Sequence, residues 1–313
     1  MAGVAGAAAA VDNGRLLSPG LGIGWRPGLA GPIARLDGLT FVEVVAENLH
    51  DHGGGIEVPP SLQQLIGAGI TAVAHGISLS LGSAGDVDPV RLAHLRSAGE
   101  AINAPLVSEH IAFVRSGGDA PAGAPHGDLL EAGHLLPVPR NQDTLLVLAA
   151  NVRQAQAGLD VPLALEPIAA LAEWPDNAMT EGQFLSELLD GTGALLVLDV
   201  ANIYANAVNN GRDPLVALLE FPLERIAYCH IAGGQVLDGL YQDTHQEPVP
   251  PEVLELAGEL LKAAGPLPLM LERDGNFPPD PVLYAELDDI ADAAGIPRVT
   301  PSAVPRSAAD GRA

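Results

Sequence analysis

Ala194–Asn202 reads ALLVLDVAN. Five apolar residues run together, then an aspartate, then a short mixed stretch. The run is too short for a helix and shows no polar alternation, so it predicts a strand covered on both faces, as in a parallel sheet. Outward in both directions the pattern recurs. Leu21–Trp25, Phe41–Glu47, Thr71–Ile77 and Pro105–Phe113 precede it with Pro162–Pro167; Arg225–Gly233 and Pro268–Asp274 follow. Each is bounded by Gly, Pro or Asp. Between them lie helix-like stretches, among them Pro89–Ala101, Asn141–Gly158 and Pro251–Ala264, the last opened by prolines and closed by Gly265. Eight strands alternating with helices over about 250 residues predict an α/β chain folded as a TIM (β/α)8 barrel. The rival, an open doubly wound sheet, would carry GxGxxG after its first strand; here Gly22 and Gly24 give only GxG, followed by Arg26 and Pro27.

The barrel is expected to occupy residues 18–298 as one catalytic domain, with 1–17 a flexible N-terminal segment and 299–313 a flexible C-terminal tail. The long Gly/Pro-rich stretch Ser116–Arg140 is expected to rise above the barrel mouth as a candidate lid. Of 313 residues 48% are hydrophobic, too many for a disordered chain, although 15 basic against 39 acidic residues leave a net charge of −24. That charge argues against nucleic acid as a partner. A single cysteine excludes a disulfide framework and a cysteine-rich zinc module. No apolar run approaches the ~20 residues of a membrane span, and no basic segment precedes an apolar one as in a secretory signal, so no membrane partner and a cytoplasmic location are expected.

Function is written at the strand ends. Strand two ends in Glu47-Asn48, strand three in His75, strand four in Glu109-His110 and strand five in Glu166. Strand six ends in Asp199 with Asn202 beyond it, strand seven in His230 and strand eight in Glu272; Asp243-Thr244-His245 lies between the last two. In a barrel these ends share one mouth. Alternation places Val73 inward with His75, Ile226 and Tyr228 with His230, Ala164 with Glu166 and Met270 with Glu272, while Ala72, Ala74 and Cys229 face the helices. Paired acid/base chemistry needs two carboxylates only. Packed carboxylates repel unless cations neutralise them, and a His/Asp/Glu set without thiolate suits iron, manganese or zinc. So many ligands imply two or three ions, with a carboxylate such as Glu166 bridging. His50, His52, His94, His126 and His134 fall in expected loops or helices and are read as ordinary.

Several segments then resemble one family: GIGWRP (22–27), ExxxEN (43–48), HGISLSLGS (75–83), VSEH (107–110), LLPVP (135–139), LDVANIYxNAxNNGxDP (198–214), CHIAG (229–233), DTH (243–245) and LERD (271–274). Together they resemble the multinuclear non-haem iron-dependent oxidative enzymes, relatives of the methanobactin oxazolone/thioamide-forming enzyme. The resemblance implies a xylose-isomerase-like barrel. It implies metal ligation by His75, His110, Glu166, Asp199, Asn202, His230, Asp243, His245 and Glu272, with Asn202, Asp243 and His245 at a third position. It also implies two to three irons of mixed Fe2+/Fe3+ state, O2 as co-substrate, and oxidative modification of a residue, cysteine in the known cases, of a ribosomally made precursor peptide. A separate leader-binding partner protein is expected with it. The chain departs from the family pattern at Pro167, Ala201 and Gly234, beside ligands that are kept, which bears on the substrate. The alternatives are a metal-dependent phosphodiesterase or sugar isomerase of the same barrel superfamily, and a metal-storing protein. The charge disfavours a DNA phosphodiesterase. A sugar isomerase would want a lysine at the site, and the one lysine is Lys262, in a predicted helix.

Overall fold

The computed structural model describes residues 16–116 and 130–301. The expected flexibility of both ends therefore falls mostly outside the described residues, as do His126 and the middle of the expected lid. Within the ends, Leu17 and Val299 are buried, and Asp37 donates its backbone N–H to the Val299 carbonyl.

The eight expected strands form: β1 (Gly20–Trp25), β2 (Phe41–Val45), β3 (Thr71–Gly76), β4 (Val107–His110), β5 (Leu163–Glu166), β6 (Leu195–Asp199), β7 (Ile226–Ile231) and β8 (Pro268–Leu271). They close into a parallel barrel in the order β1-β8-β7-β6-β5-β4-β3-β2. The helices Pro89–Ala101 and Pro251–Ala264 have the expected bounds, and Gln142–Ala157 lies between Asn141, which caps it, and Gly158. Two antiparallel hairpins interrupt the alternation on the C-terminal side of the strands. One pairs Ala112–Ser116 with Leu130–Pro137, and the other pairs Gln235–Leu237 with Leu240–Gln242. Leu130–Pro137 is a described part of the expected lid stretch, while Ala112 and Phe113, expected at the end of the fourth strand, belong to this hairpin instead.

Two apolar layers hold the barrel, as alternation of strand side chains requires. The interior is filled by Phe41, Val73, Leu106, Ala164, Val197, Tyr228 and Met270, with Leu17 among them. Gly22 belongs here because a Cβ would meet the Phe41 ring at 2.6 Å. The outer layer, which includes Val42, Ala72, Ala74, Leu198 and Cys229, packs under the helices. Ile226 is a correction: it lies in the outer layer, not beside His230. The register between β6 and β7 slips between Leu196 and Val197, which pair with Ile226 and Tyr228. The slip breaks strict alternation at the start of β7.

Candidate metal centre

Register brings the polar strand ends together. His110 pairs with Glu166 across β4 and β5, and Asp199 pairs with His230 across β6 and β7. His75, one strand further round, lies with its ring centroid 4.5 Å from that of His110 and 5.5 Å from that of His230. Glu272 follows β8 directly. All six are buried.

Their donor atoms fall into linked groups, each with atoms within 4.8 Å of one another: His75, His110 and Glu166; Glu166, Asp199, His230 and Glu272; Asp199, Asp243 and His245; and His245, Glu272 and Asp274. Glu166 Oε2 lies 3.4 Å from His75 Nε2 and 3.6 Å from His110 Nε2, while its Oε1 lies 3.3 Å from His230 Nδ1. Glu166 thus faces two groups with two oxygens, and Asp199 joins the second group to the third.

The fit to cations can be read from what these atoms lack. Glu166 Oε2, Asp199 Oδ2, His230 Nδ1, Asp243 Oδ1 and Glu272 Oε2 are buried and have no hydrogen-bond partner. Buried polar atoms are rarely left so. His230 Nδ1 and Glu272 Oε2 stand 2.8 Å apart without hydrogen-bond geometry. A shared cation would satisfy both, and oxygen and imidazole donors without thiolate suit iron, manganese or zinc. Cys229 is buried in the outer layer, away from this set. Asp199 also answers the ordinary explanation of a strand-end aspartate. Its Oδ1 caps the helix Val200–Asn209 by accepting from Ala201 and Asn202 N–H at 2.7 and 3.0 Å, and its Oδ2 is left for the centre.

Electrostatics follow from burying both signs of charge together. Burial opposes the charge on His110, yet Glu166 and Glu109 raise its pKa to about 9. His230 and His245 are likewise held well above the usual imidazole range against burial, by Glu272 and Glu43 for the first and by Asp243 and Glu272 for the second. Glu272 is held well below the carboxylate range by these two imidazoles although burial works the other way. Burial lifts Asp243 to about 6. In place of imidazolium protons, metal ions would neutralise the same carboxylates, so loading releases protons.

The eight expected ligands that are His, Asp or Glu all fall into these groups, with Asp199 beside Asp243 and His245. The ninth, Asn202, lies against Glu166, its Nδ2 donating to the Pro167 carbonyl at 3.1 Å and to Glu166 Oε1 at 3.5 Å. Sequence reasoning passed over Asp274, Arg26 and Glu43. All three sit in quoted segments, LERD, GIGWRP and ExxxEN, but nothing local marks Asp274 or Arg26. Arg26 donates to Glu272 Oε1 at 3.2 Å and to Asp274 Oδ1 at 2.7 Å across about 250 residues of chain. Glu43 lies mid-strand, fully buried inside the barrel. A charged residue within a VEVV run was the available signal, since such a residue needs partners.

The centre floors a cleft of about 530 Å3 whose walls include Asn48, Ile77, Leu135 and Ile168, with His134 among them. His134 is thus not merely a loop residue: the strand Leu130–Pro137 carries it to the rim. His94, by contrast, bonds the Ala46 carbonyl, and His50 and His52 are exposed.

Residues 20–295 match the family described as RiPP precursor modification enzyme MbnB/TglH/ChrH. A UPF0276 protein of Streptomyces avermitilis is 51% identical over 271 residues, 87% of this chain and 54% of that protein; the chain spans about half the length of this relative. Among solved structures, endonuclease IV from Thermus thermophilus is similar with a TM-score of 0.55 at 17% identity, over 88% of this chain and 99% of that one. A xylose isomerase domain protein from Alicyclobacillus acidocaldarius gives 0.51 at 15%, over 88% and 99%. At such identities the likeness is one of fold, the xylose-isomerase-like TIM barrel.

Proposed function

The chain belongs to the RiPP precursor modification enzyme family MbnB/TglH/ChrH, and we propose that it is an iron-dependent, dioxygen-using oxidoreductase acting on a residue, cysteine by family resemblance, of a ribosomally made precursor peptide. The observation that carries this reading is Glu166: one buried carboxylate shared by two ligand groups, with an oxygen that no hydrogen bond satisfies. Iron held there would supply dioxygen activation and one-electron oxidation of the bound substrate. His75, His110 and Glu166 would hold one ion, Glu166, Asp199, His230 and Glu272 a second, and Asp243 and His245 with Asp199 a third. In the same proposal Asn202 completes the third site with Asp243 and His245.

The remaining residues position and protect. Arg26 binds Glu272 through Oε1 and so leaves Oε2 facing His230. Three or four side-chain donors per group would leave an ion held there able to take a substrate atom and dioxygen as well. Ile77, Leu135 and Ile168 give the cleft apolar walls that a peptide side chain would dry on entry. Among the described residues no helix is long and apolar enough to cross a membrane, and we place the reaction in the cytoplasm, with a leader-binding partner protein delivering the peptide.

Protein loaded anaerobically with ferrous iron should carry two to three irons per chain by elemental analysis after gel filtration. It should consume oxygen only when a cognate peptide is added. Glu166→Gln should lower the iron content more than any other single substitution. One equivalent or less of any metal would defeat the multinuclear reading; anaerobic turnover of a ketose or an abasic oligonucleotide with zinc or manganese would replace oxidation by isomerisation or hydrolysis.

A further inference from the structure

Beneath the ligands runs a buried chain of hydrogen bonds. His75 Nδ1 lies 2.8 Å from Ser108 Oγ, Ser108 Oγ lies 2.7 Å from Tyr228 Oη, and Tyr228 Oη donates to Glu43 Oε2 at 2.6 Å. The same Glu43 oxygen receives His230 Nε2 at 2.9 Å. Ser108, Tyr228, Glu43 and His230 are fully buried, and His75 nearly so. Each group between the ends has one hydrogen to give. A carboxylate has none, so the direction of every bond follows from Glu43. Tyr228 gives its hydrogen to Glu43, hence accepts from Ser108, which in turn accepts from His75 Nδ1–H. On the other arm His230 gives its Nε2–H to Glu43.

The nitrogens left over are His75 Nε2 and His230 Nδ1, and these are the two that flank Glu166, at 3.4 and 3.3 Å. We infer that Glu43 is a positioning residue which, through Tyr228 and Ser108 on one side and directly on the other, sets which nitrogen each of these two imidazoles offers to metal and thereby couples the first two ligand groups. The inference rests on the metal-centre reading above, but not on iron, oxygen or the peptide. A carboxylate behind a ligating imidazole orients the ring and raises its basicity, and losing such a partner weakens metal binding roughly 10–100-fold. Glu43 stands behind two, directly for His230 and through Tyr228 and Ser108 for His75.

The test is metal retention, not turnover. Wild type, Glu43→Leu, Glu43→Gln and Tyr228→Phe, each loaded with ferrous iron alone, are titrated with a competing chelator. Glu43→Leu removes the common acceptor and should release iron from both groups at roughly 10–100-fold lower chelator. Glu43→Gln keeps an acceptor oxygen without the charge and should recover part of the loss. Tyr228→Phe breaks one arm, so its cost should vanish in a His75→Ala background, whereas that of Glu43→Leu should persist there through His230. Circular dichroism of the metal-free variants checks the barrel; if Glu43→Leu fails to fold, the Tyr228→Phe cycle decides. Retention by the Glu43 variants equal to wild type, or a Tyr228→Phe cost undiminished without His75, overturns the inference. Wild type that itself holds one ion or none overturns the metal reading instead.

Discussion

His245 shows how much one loop residue can carry. It has positive φ, +53°, outside any strand, and it touches two candidate groups at once. Its Nε2 faces Asp243 and lies 3.5 Å from Asp199 Oδ2, while its Nδ1 lies 3.3 Å from both Glu272 Oε2 and Asp274 Oδ2. The third site proposed above, with Asp243 and Asp199, and a rival version with Glu272 and Asp274 therefore both need this imidazole. His245→Ala should lose about one iron per chain while the far-ultraviolet circular dichroism stays unchanged; loss of all the iron, or none, would show the Asp243–His245 segment is misassigned. Asp243→Asn and Asp274→Asn then tell the versions apart, since only the carboxylate that binds should change iron content. The sequence motif DTH was enough to nominate His245. It could not show Asp274, because that contact closes between a loop after β7 and the end of β8.

Helix starts do double duty around the mouth. Asp199 caps Val200–Asn209 with one oxygen and faces the centre with the other. Glu181 opens the helix Glu181–Thr192, itself held by a capping box between Thr180 and Gln183. Burial in a small cleft beside Asn206 raises Glu181 from 4.5 to about 6, with Arg140 pulling the other way. A carboxyl whose folded pKa is raised binds more protons folded than unfolded, so its contribution to stability declines as pH rises between these two values. Glu181→Gln removes the titration. Its stability relative to wild type, from urea denaturation, should rise from pH 4.5 to about pH 6 and be level above that. A difference independent of pH would mean that Glu181 is solvated like a surface carboxylate. Helix positions of this kind were legible in the sequence: Pro89, Asn141, Pro251 and Gly265 mark ends that the structure keeps.

At the scale of the whole barrel, the centre is a cost until it is loaded. Buried imidazoles and carboxylates converge on one mouth, and several of their atoms are unsatisfied. Ligand that binds only the folded state adds RT ln(1 + [L]/Kd), about 2.7 kcal/mol when free metal exceeds Kd a hundredfold. Stripping the protein with a chelator should therefore lower its Tm by several degrees, and adding ferrous iron should restore it. A Tm indifferent to metal would place the ions, if any, at the surface. The net charge of −24 predicts in addition that a basic peptide segment associates faster at low than at high ionic strength.

The sequence by itself determined the fold class and most of the candidate centre. Short apolar runs such as ALLVLDVAN belong to a parallel sheet covered on both faces. Eight of them alternating with helices, without GxGxxG after the first, favour the barrel over the open doubly wound sheet. In a barrel every strand's C-terminal end points to the same mouth, so His75, His110, Glu166, Asp199, His230 and Glu272 could be gathered by position alone. The family, too, was legible in the segments around them, and its match over residues 20–295 bears out that resemblance. Only the tertiary structure decided what lies beneath and between. Glu43, Ser108 and Tyr228 come from three strands and meet inside the barrel, Arg26 and Asp274 meet where the barrel closes between its first strand and its last, and Ile226 turns outward where the β6–β7 register slips. Periodicity reports which face a residue takes within its own strand. Which residues of other strands share that face depends on register and closure, and these are settled by packing the whole ring at once.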